Sequence, residues 1–125
     1  MLELIAAQDY QAESQGLLVL ANDADVLTVD LSGVQVVELQ FPKYTDGRAY
    51  SQAQLLLRRR GFTGILRATG DVLVDELQQM QRCGFHQAVL RADQNLAHGQ
   101  RLLTMFSGYY QADAQVDKPR FALEV

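Results

Sequence analysis

The chain has 125 residues, of which 48% are hydrophobic and 21% charged, with a formal net charge of −4. That length makes one domain, 1–125, able to bury roughly two thirds of its unfolded surface without a disulfide or a metal. No apolar run approaches the ~18 residues of a membrane span, and an isoelectric point of 5.0 argues against nucleic acid as a partner.

The first segment, MLELIAAQDYQAESQ, has no Lys or Arg, and its apolar patch is too short for a secretory leader. A cytoplasmic protein is therefore expected, and the single Cys83 fits a reducing compartment. Residues 1 to 42 carry seven acids and no Lys or Arg, whereas the remainder has eleven bases against eight acids. Within 1–33, Gly16 to Leu20 and Val26 to Leu31 each read as a strand, separated by the turn formers Asn22-Asp23-Ala24-Asp25. An antiparallel hairpin or edge is open for this part.

A βαβαβα core is expected over 34–110. From Val34, VQVVELQF reads as a buried strand that stops at Pro42, which has no N–H to give a ladder. A turn at Thr45-Asp46-Gly47 leads to a helix from Ala49, with Tyr50, Ala53, Leu56 and Leu57 on one stripe and Gly61 as its end. Arg58-Arg59-Arg60 falls in the last turn, where cations complement the helix dipole. Ile65-Leu66, between Gly64 and Gly70, reads as a second buried strand. Asp71 then stands as N-cap of a second helix, with Leu73, Leu77 and Met80 inward and Gly84 as its stop. A third helix is expected from Asn95 to Phe106, with Leu96, Leu103 and Phe106 facing the core, followed by Tyr109 and Tyr110. The final 111–125 has no period and reads as a surface tail pinned by Phe121.

RRRGFTGILRATGD and QRCGFHQAVLRADQN share a plan: helix end, Gly-Phe, short strand, Leu-Arg-Ala, then an Asp able to cap the next helix. Two such copies match successive right-handed βαβ crossovers. The fold class expected is thus α/β, a small domain with a mainly parallel sheet.

Ligands of open parallel sheets bind beyond the carboxyl ends of the strands. Three ends are predicted, at Phe41 to Arg48, Arg67 to Asp71 and Arg91 to Asp93, each with an arginine, an aspartate and a following helix N-terminus. Together they suit a small oxyanion; equally, each Asp is an ordinary cap worth ~1 kcal/mol with an arginine paired to it. Cys83 sits at a helix C-terminus, where the dipole disfavours a thiolate, so a buried small residue is the stronger reading than a nucleophile. Cys83 and His86 form a C-x-x-H pair with no third or fourth ligand at a metal-site spacing, so no metal is expected. His98 reads as a helix-surface residue. No G-x-G-x-x-G follows a strand and no Walker loop is present, so no cofactor is expected.

The run from Phe41 to Phe85 carries F-P-x-[FY]-x-D-G-R, a Y-S in the first helix, R-A-x-G-D and R-C-G-F. It resembles the core of a bacterial domain-of-unknown-function family often labelled as an oxidoreductase and encoded near assimilatory sulfite reductase. The resemblance covers about a third of the chain, and Ala49, Gln54 and His86 depart from glycine, arginine and aspartate in the family pattern. It carries Asp46, Gly47, Arg48, Tyr50, Ser51, Arg67, Gly70, Asp71, Arg82, Cys83 and Gly84 as matched positions. It implies an accessory or interaction protein of sulfate or sulfite assimilation, with sulfite reductase or another sulfur-assimilation protein as partner. The alternative is a small-oxyanion-binding protein or enzyme using Asp46, Gly47, Arg48, Tyr50, Ser51, Arg67, Asp71 and Arg91; a self-associating module is a third reading.

Overall fold

The computed structural model describes residues 2–42 and 47–106. The predicted roles of Asp46, the Phe106 side chain, Tyr109, Tyr110 and the 111–125 tail lie outside the described residues. Five strands, β1 (Glu3–Ile5), β2 (Leu17–Leu20), β3 (Val36–Phe41), β4 (Ile65–Gly70) and β5 (Gln87–Val89), form one sheet in the order β1-β5-β4-β3-β2. Every pairing in it is parallel. Three α-helices accompany it among the described residues: α1 (Arg48–Arg58), α2 (Leu77–Arg82) and α3 (Leu96–Phe106). The expected α/β class is therefore what the chain adopts.

Chain direction decides which face each connection covers. From β2 through β5 the chain steps one strand at a time in one direction, so right-handed crossovers place every connection on the same side. Val37, Leu39, Phe41, Leu66, Ala68 and Ala88 point to that side and form one core with Ala49, Tyr50, Ala53, Leu56, Leu77, Met80, Phe85 and Leu103. From β1 to β2 the chain moves the opposite way, from one edge of the sheet to the other. The same handedness therefore puts residues 6–16 on the opposite face, where this segment crosses the sheet as a strap.

The antiparallel pairing left open for the N-terminal strands does not occur. Leu17–Leu20 lies parallel to β3, with Val19 opposite Glu38, and Glu3–Ile5, missed in the sequence because it is only three residues long, pairs parallel with β5. Val26 to Leu31 is not a strand. Residues 21–35 instead form a crossover of turns, with Asp25 and Asp30 carboxylates accepting the Leu27 and Ser32 N–H groups. Gln52 of α1 donates to the carbonyls of Ala21 and Ala24, and Arg60 donates to those of Val26 and Val29 at 2.7 and 2.9 Å. The last arginine of the triplet thus fastens this crossover, beyond any service to the helix dipole.

Asp71 does not cap a helix. After β4 the chain bends at Asp71, where the Val72 N–H reaches back to the Gly70 carbonyl, is extended at Leu73, turns through a short 3-10 segment at Val74–Glu76 and only then enters α2. The carbonyl of Val72 accepts the Arg91 N–H at 3.0 Å, which prolongs the sheet where a cap was expected. Gly84 ends α2 as predicted: at φ 99° it lets the Phe85 N–H reach the Met80 carbonyl at 3.1 Å, a Schellman closure. At α3 the cap is Asn95, whose Oδ1 accepts the His98 N–H at 2.9 Å, leaving Asp93 free for Arg91.

Gly70 closes β4 at φ 96°, and a Cβ there would lie 2.6 Å from the Phe41 carbonyl oxygen. The clash is with backbone, which cannot swing aside as a side chain can. Gly70→Ala is expected to cost about 2 to 3 kcal/mol, read as a lower midpoint in urea denaturation with an unchanged slope; a midpoint within error of the wild type would refute this account.

Candidate functional site

Alternation along the strands places Glu38 and Arg67 on the face away from the helices, one opposite the other in the β3–β4 register. Gln87 is opposite Arg67 on the other side, and Glu3 opposite Gln87. A polar row therefore runs across the middle of the sheet, and the strap lies over it.

Arg67 is the centre of that row, with 2% of its side chain exposed. Its guanidinium grips the Glu13 carboxylate at two points, 2.7 and 3.0 Å, and donates to Gln87 Oε1 at 3.2 Å and to the Tyr10 hydroxyl at 3.0 Å. The Glu38 carboxylate stands 3.4 Å away, and the Tyr10 ring lies 4.8 Å from the guanidinium carbon, in cation–π range. Tyr10 also donates its hydroxyl proton to Glu38, and Gln87 passes a hydrogen bond on to Glu3. Burial, with the Glu38 carboxylate next, pushes the Tyr10 hydroxyl up to about 12, so it stays a neutral donor. The hydrogen bond from Arg67 holds the Glu13 carboxyl below its ordinary range. Within this arrangement, Arg67 Nε remains buried with no acceptor.

Arg67 therefore does not join the strand-end cluster expected of it. The repeated Leu-Arg-Ala suggested that Arg67 and Arg91 are equivalent, but the sheet aligns Arg67 with Gln87, four residues before Arg91. One arginine ends up mid-strand and buried, the other past the strand and exposed. At the carboxyl edge, Arg91 pairs with Asp71 at 2.5 Å and with Asp93 through two contacts at 2.6 and 2.8 Å. Those hydrogen bonds hold the Asp93 carboxyl down at about 2. Gly47 and Arg48 open α1 at the surface, Ser51 is exposed on the helix, and Tyr50 is buried against Phe41 at 5.1 Å between ring centres. Of the predicted residues, Asp71 and Arg91 are brought into contact; Arg67 is on the opposite face, and Asp46 lies outside the described residues.

Two polar atoms near this edge are buried without hydrogen-bond partners, the Tyr50 hydroxyl and Glu76 Oε1. Burial, then the neighbouring Glu76 and Cys83 charges, raises the Tyr50 hydroxyl above its ordinary value, and burial raises Glu76 as well. Cys83 is half-buried beside this core. His86 is committed to the sheet, its Nδ1 accepting the Leu66 N–H at 3.0 Å, and among the described residues no cluster of three metal-ligating side chains occurs. A shallow open groove of about 640 Å³, lined by Leu96, Ala97, Gln100, Arg101, Thr104 and Met105 of α3, contains none of the predicted site residues.

A family model described as a bacterial protein of unknown function, DUF934, matches residues 17–121. The chain belongs to that family. No curated protein and no solved structure matches it. The matched stretch of this DUF934 chain contains Glu38, Arg67, Asp71, Gln87 and Arg91, whereas Tyr10 and Glu13 precede it. Sequence reasoning passed over Tyr10, Glu13, Glu38 and Gln87. The available signal was Glu38, an acid inside an apolar run on the same alternation as a later strand's arginine.

Removing one partner of a buried charge pair strands the other. Arg67→Met is expected to destabilise the protein by about 3 to 5 kcal/mol in urea, and Arg67→Met with Glu38→Leu to recover most of that loss. An additive double variant would show that the two charges are not coupled. Acid provides a separate check. Because the folded-state pKa of Glu13 is lowered, its contribution is complete above the ordinary glutamate value of about 4.3 and is lost as pH falls through the folded value. Wild-type stability should therefore fall more steeply below about pH 5 than that of Glu13→Gln; parallel curves would count against the contact.

Proposed function

We propose that this protein is an accessory, interaction protein of assimilatory sulfate or sulfite reduction, acting in the cytoplasm without a cofactor of its own. The observation that carries the non-catalytic part is the fate of the charges chosen as a site. Arg91 is held by Asp71 and Asp93, and Arg67 by Glu13 and Glu38. Each pairing is intramolecular, and a ligand anion would have to displace a carboxylate already in good geometry. Arginines so engaged fix structure and shape a surface. The sulfur part of the reading rests on the motif resemblance from Phe41 to Phe85, whose family is encoded near sulfite reductase and bears an oxidoreductase label; the partner proposed is sulfite reductase or another protein of that route.

A small-oxyanion site at the carboxyl edge is the second reading. The Tyr50 hydroxyl, a buried donor without a partner, favours it. Arg67 no longer contributes, so Arg48 and the α1 N-terminus would supply the positive charge.

Mild crosslinking and pull-down of the tagged protein from sulfate-grown cells is expected to recover a sulfur-assimilation protein; recovery of none would defeat the accessory reading. A thermal-shift series with sulfate, sulfite, phosphate and a sulfonate addresses the second. Stabilisation that vanishes in Arg48→Ala would favour the oxyanion site, and no shift with any anion would remove it.

A further inference from the structure

We propose that the strap-covered face of the sheet around Arg67 is, once the strap lifts, a docking site for an acidic peptide segment of a partner protein, one bearing an aromatic hydroxyl and a carboxylate three residues further on. Residues 6–16 are its built-in occupant. The proposal deepens the interaction-protein reading and rests on it for the existence of a partner.

The strap shows what the site accepts. Tyr10 lays its ring near the guanidinium and its hydroxyl between Arg67 and Glu38, while Glu13 takes the two-point carboxylate contact. Little else holds the strap down. None of residues 6–16 is fully buried, and among the described residues no backbone group of 7–15 bonds outside the segment. Tyr10 and Glu13 are thus its anchors, and Glu13 remains 39% exposed.

The receiving surface has a different character. Arg67 and Glu38 are almost wholly buried, rigidly placed on the two central strands, and inside the stretch shared with the family, which begins after the strap. Arg67 Nε still lacks an acceptor with the strap in place, so the internal occupant leaves one strong donor unused. On the same row, Val19 stands 44% exposed next to Glu38, and Gln40 is exposed one alternation further along β3. A partner segment laid across this face would gain the Arg67 contact, supply the missing acceptor and cover apolar surface the strap leaves bare. The strap competes at the effective concentration of a short tether, of millimolar order, so a partner must outbid it.

The test uses the full chain and a fluorescent peptide of residues 6–16, AAQDYQAESQG. Tyr10→Ala with Glu13→Ala frees the strap and leaves the Arg67–Glu38 pair in the sheet. That variant is expected to bind the peptide at least tenfold more tightly than wild type, and a peptide with Gln in place of the glutamate to lose at least tenfold. Equal binding by variant and wild type, or by the two peptides, would overturn the proposal. So would sulfate or acetate at millimolar concentration blocking the peptide, since the site would then be one for small anions. Should the variant not fold, Glu13→Gln alone, which keeps the side-chain volume, decides: it is expected to bind the peptide more tightly than wild type, and binding equal to wild type would overturn the proposal. None of these measurements involves the sulfur machinery, so the pull-down and the peptide assay can fail independently.

Discussion

The handedness of parallel crossovers governs the layout of this molecule. Four strands laid down in one direction send their connections to one face, and the single reversal, from β1 at one edge to β2 at the other, sends its connection to the opposite face. Two surfaces of different nature result. One carries the apolar core under α1, α2 and α3. The other is spanned by eleven residues whose one regular element is a single 3-10 turn at Ala7–Asp9 and which include no aliphatic side chain larger than alanine, so it is satisfied by polar contacts, and Arg67 with Glu38 occupies its centre.

A charge pair is a poor way to hold a sheet together. Replacing such a pair by well-packed apolar residues is often neutral or stabilising, because the desolvation of two ions consumes much of their attraction. The strap recovers part of that cost through the Glu13 fork and the Tyr10 ring, both of which add partners to a guanidinium that would otherwise be undersupplied. The network is therefore better understood as a device for position than for stability. It fixes where the strap crosses the sheet.

The parallel core was legible because its signals are local. Gly84 at a helix end, a β-branched run stopped by Pro42, and an apolar helical stripe over Ala49 to Leu57 each report on neighbouring residues. What escaped depended on pairing. The repeated Leu-Arg-Ala hid a four-residue difference in sheet register, which only cross-strand hydrogen bonds reveal, and this sent Arg67 to the wrong place. Asp71 and Asp93 read as caps because an aspartate before a helical pattern usually is one; here Arg91 lies between them and outcompetes the backbone. Glu13 and Tyr10 carried no local signal, since their partner is more than fifty positions away.

These corrections move the candidate chemistry from one region to two. Arg91 with its flanking aspartates belongs to the carboxyl edge that general experience of α/β sheets favours for ligands, yet its charges are mutually satisfied and exposed, a state in which ion pairs contribute little. Arg67 lies away from that edge but is buried, pre-positioned by two strands and left with an unused donor. A carboxylate reaching either arginine must displace one already in place, but preorganisation lowers the cost of binding: Arg67 is buried and keeps a donor to spare, whereas Arg91 is exposed and already spends its Nε and both terminal nitrogens on Asp71 and Asp93. On that comparison the strap-covered face, and not the strand ends, is the surface of this fold best prepared to recognise something.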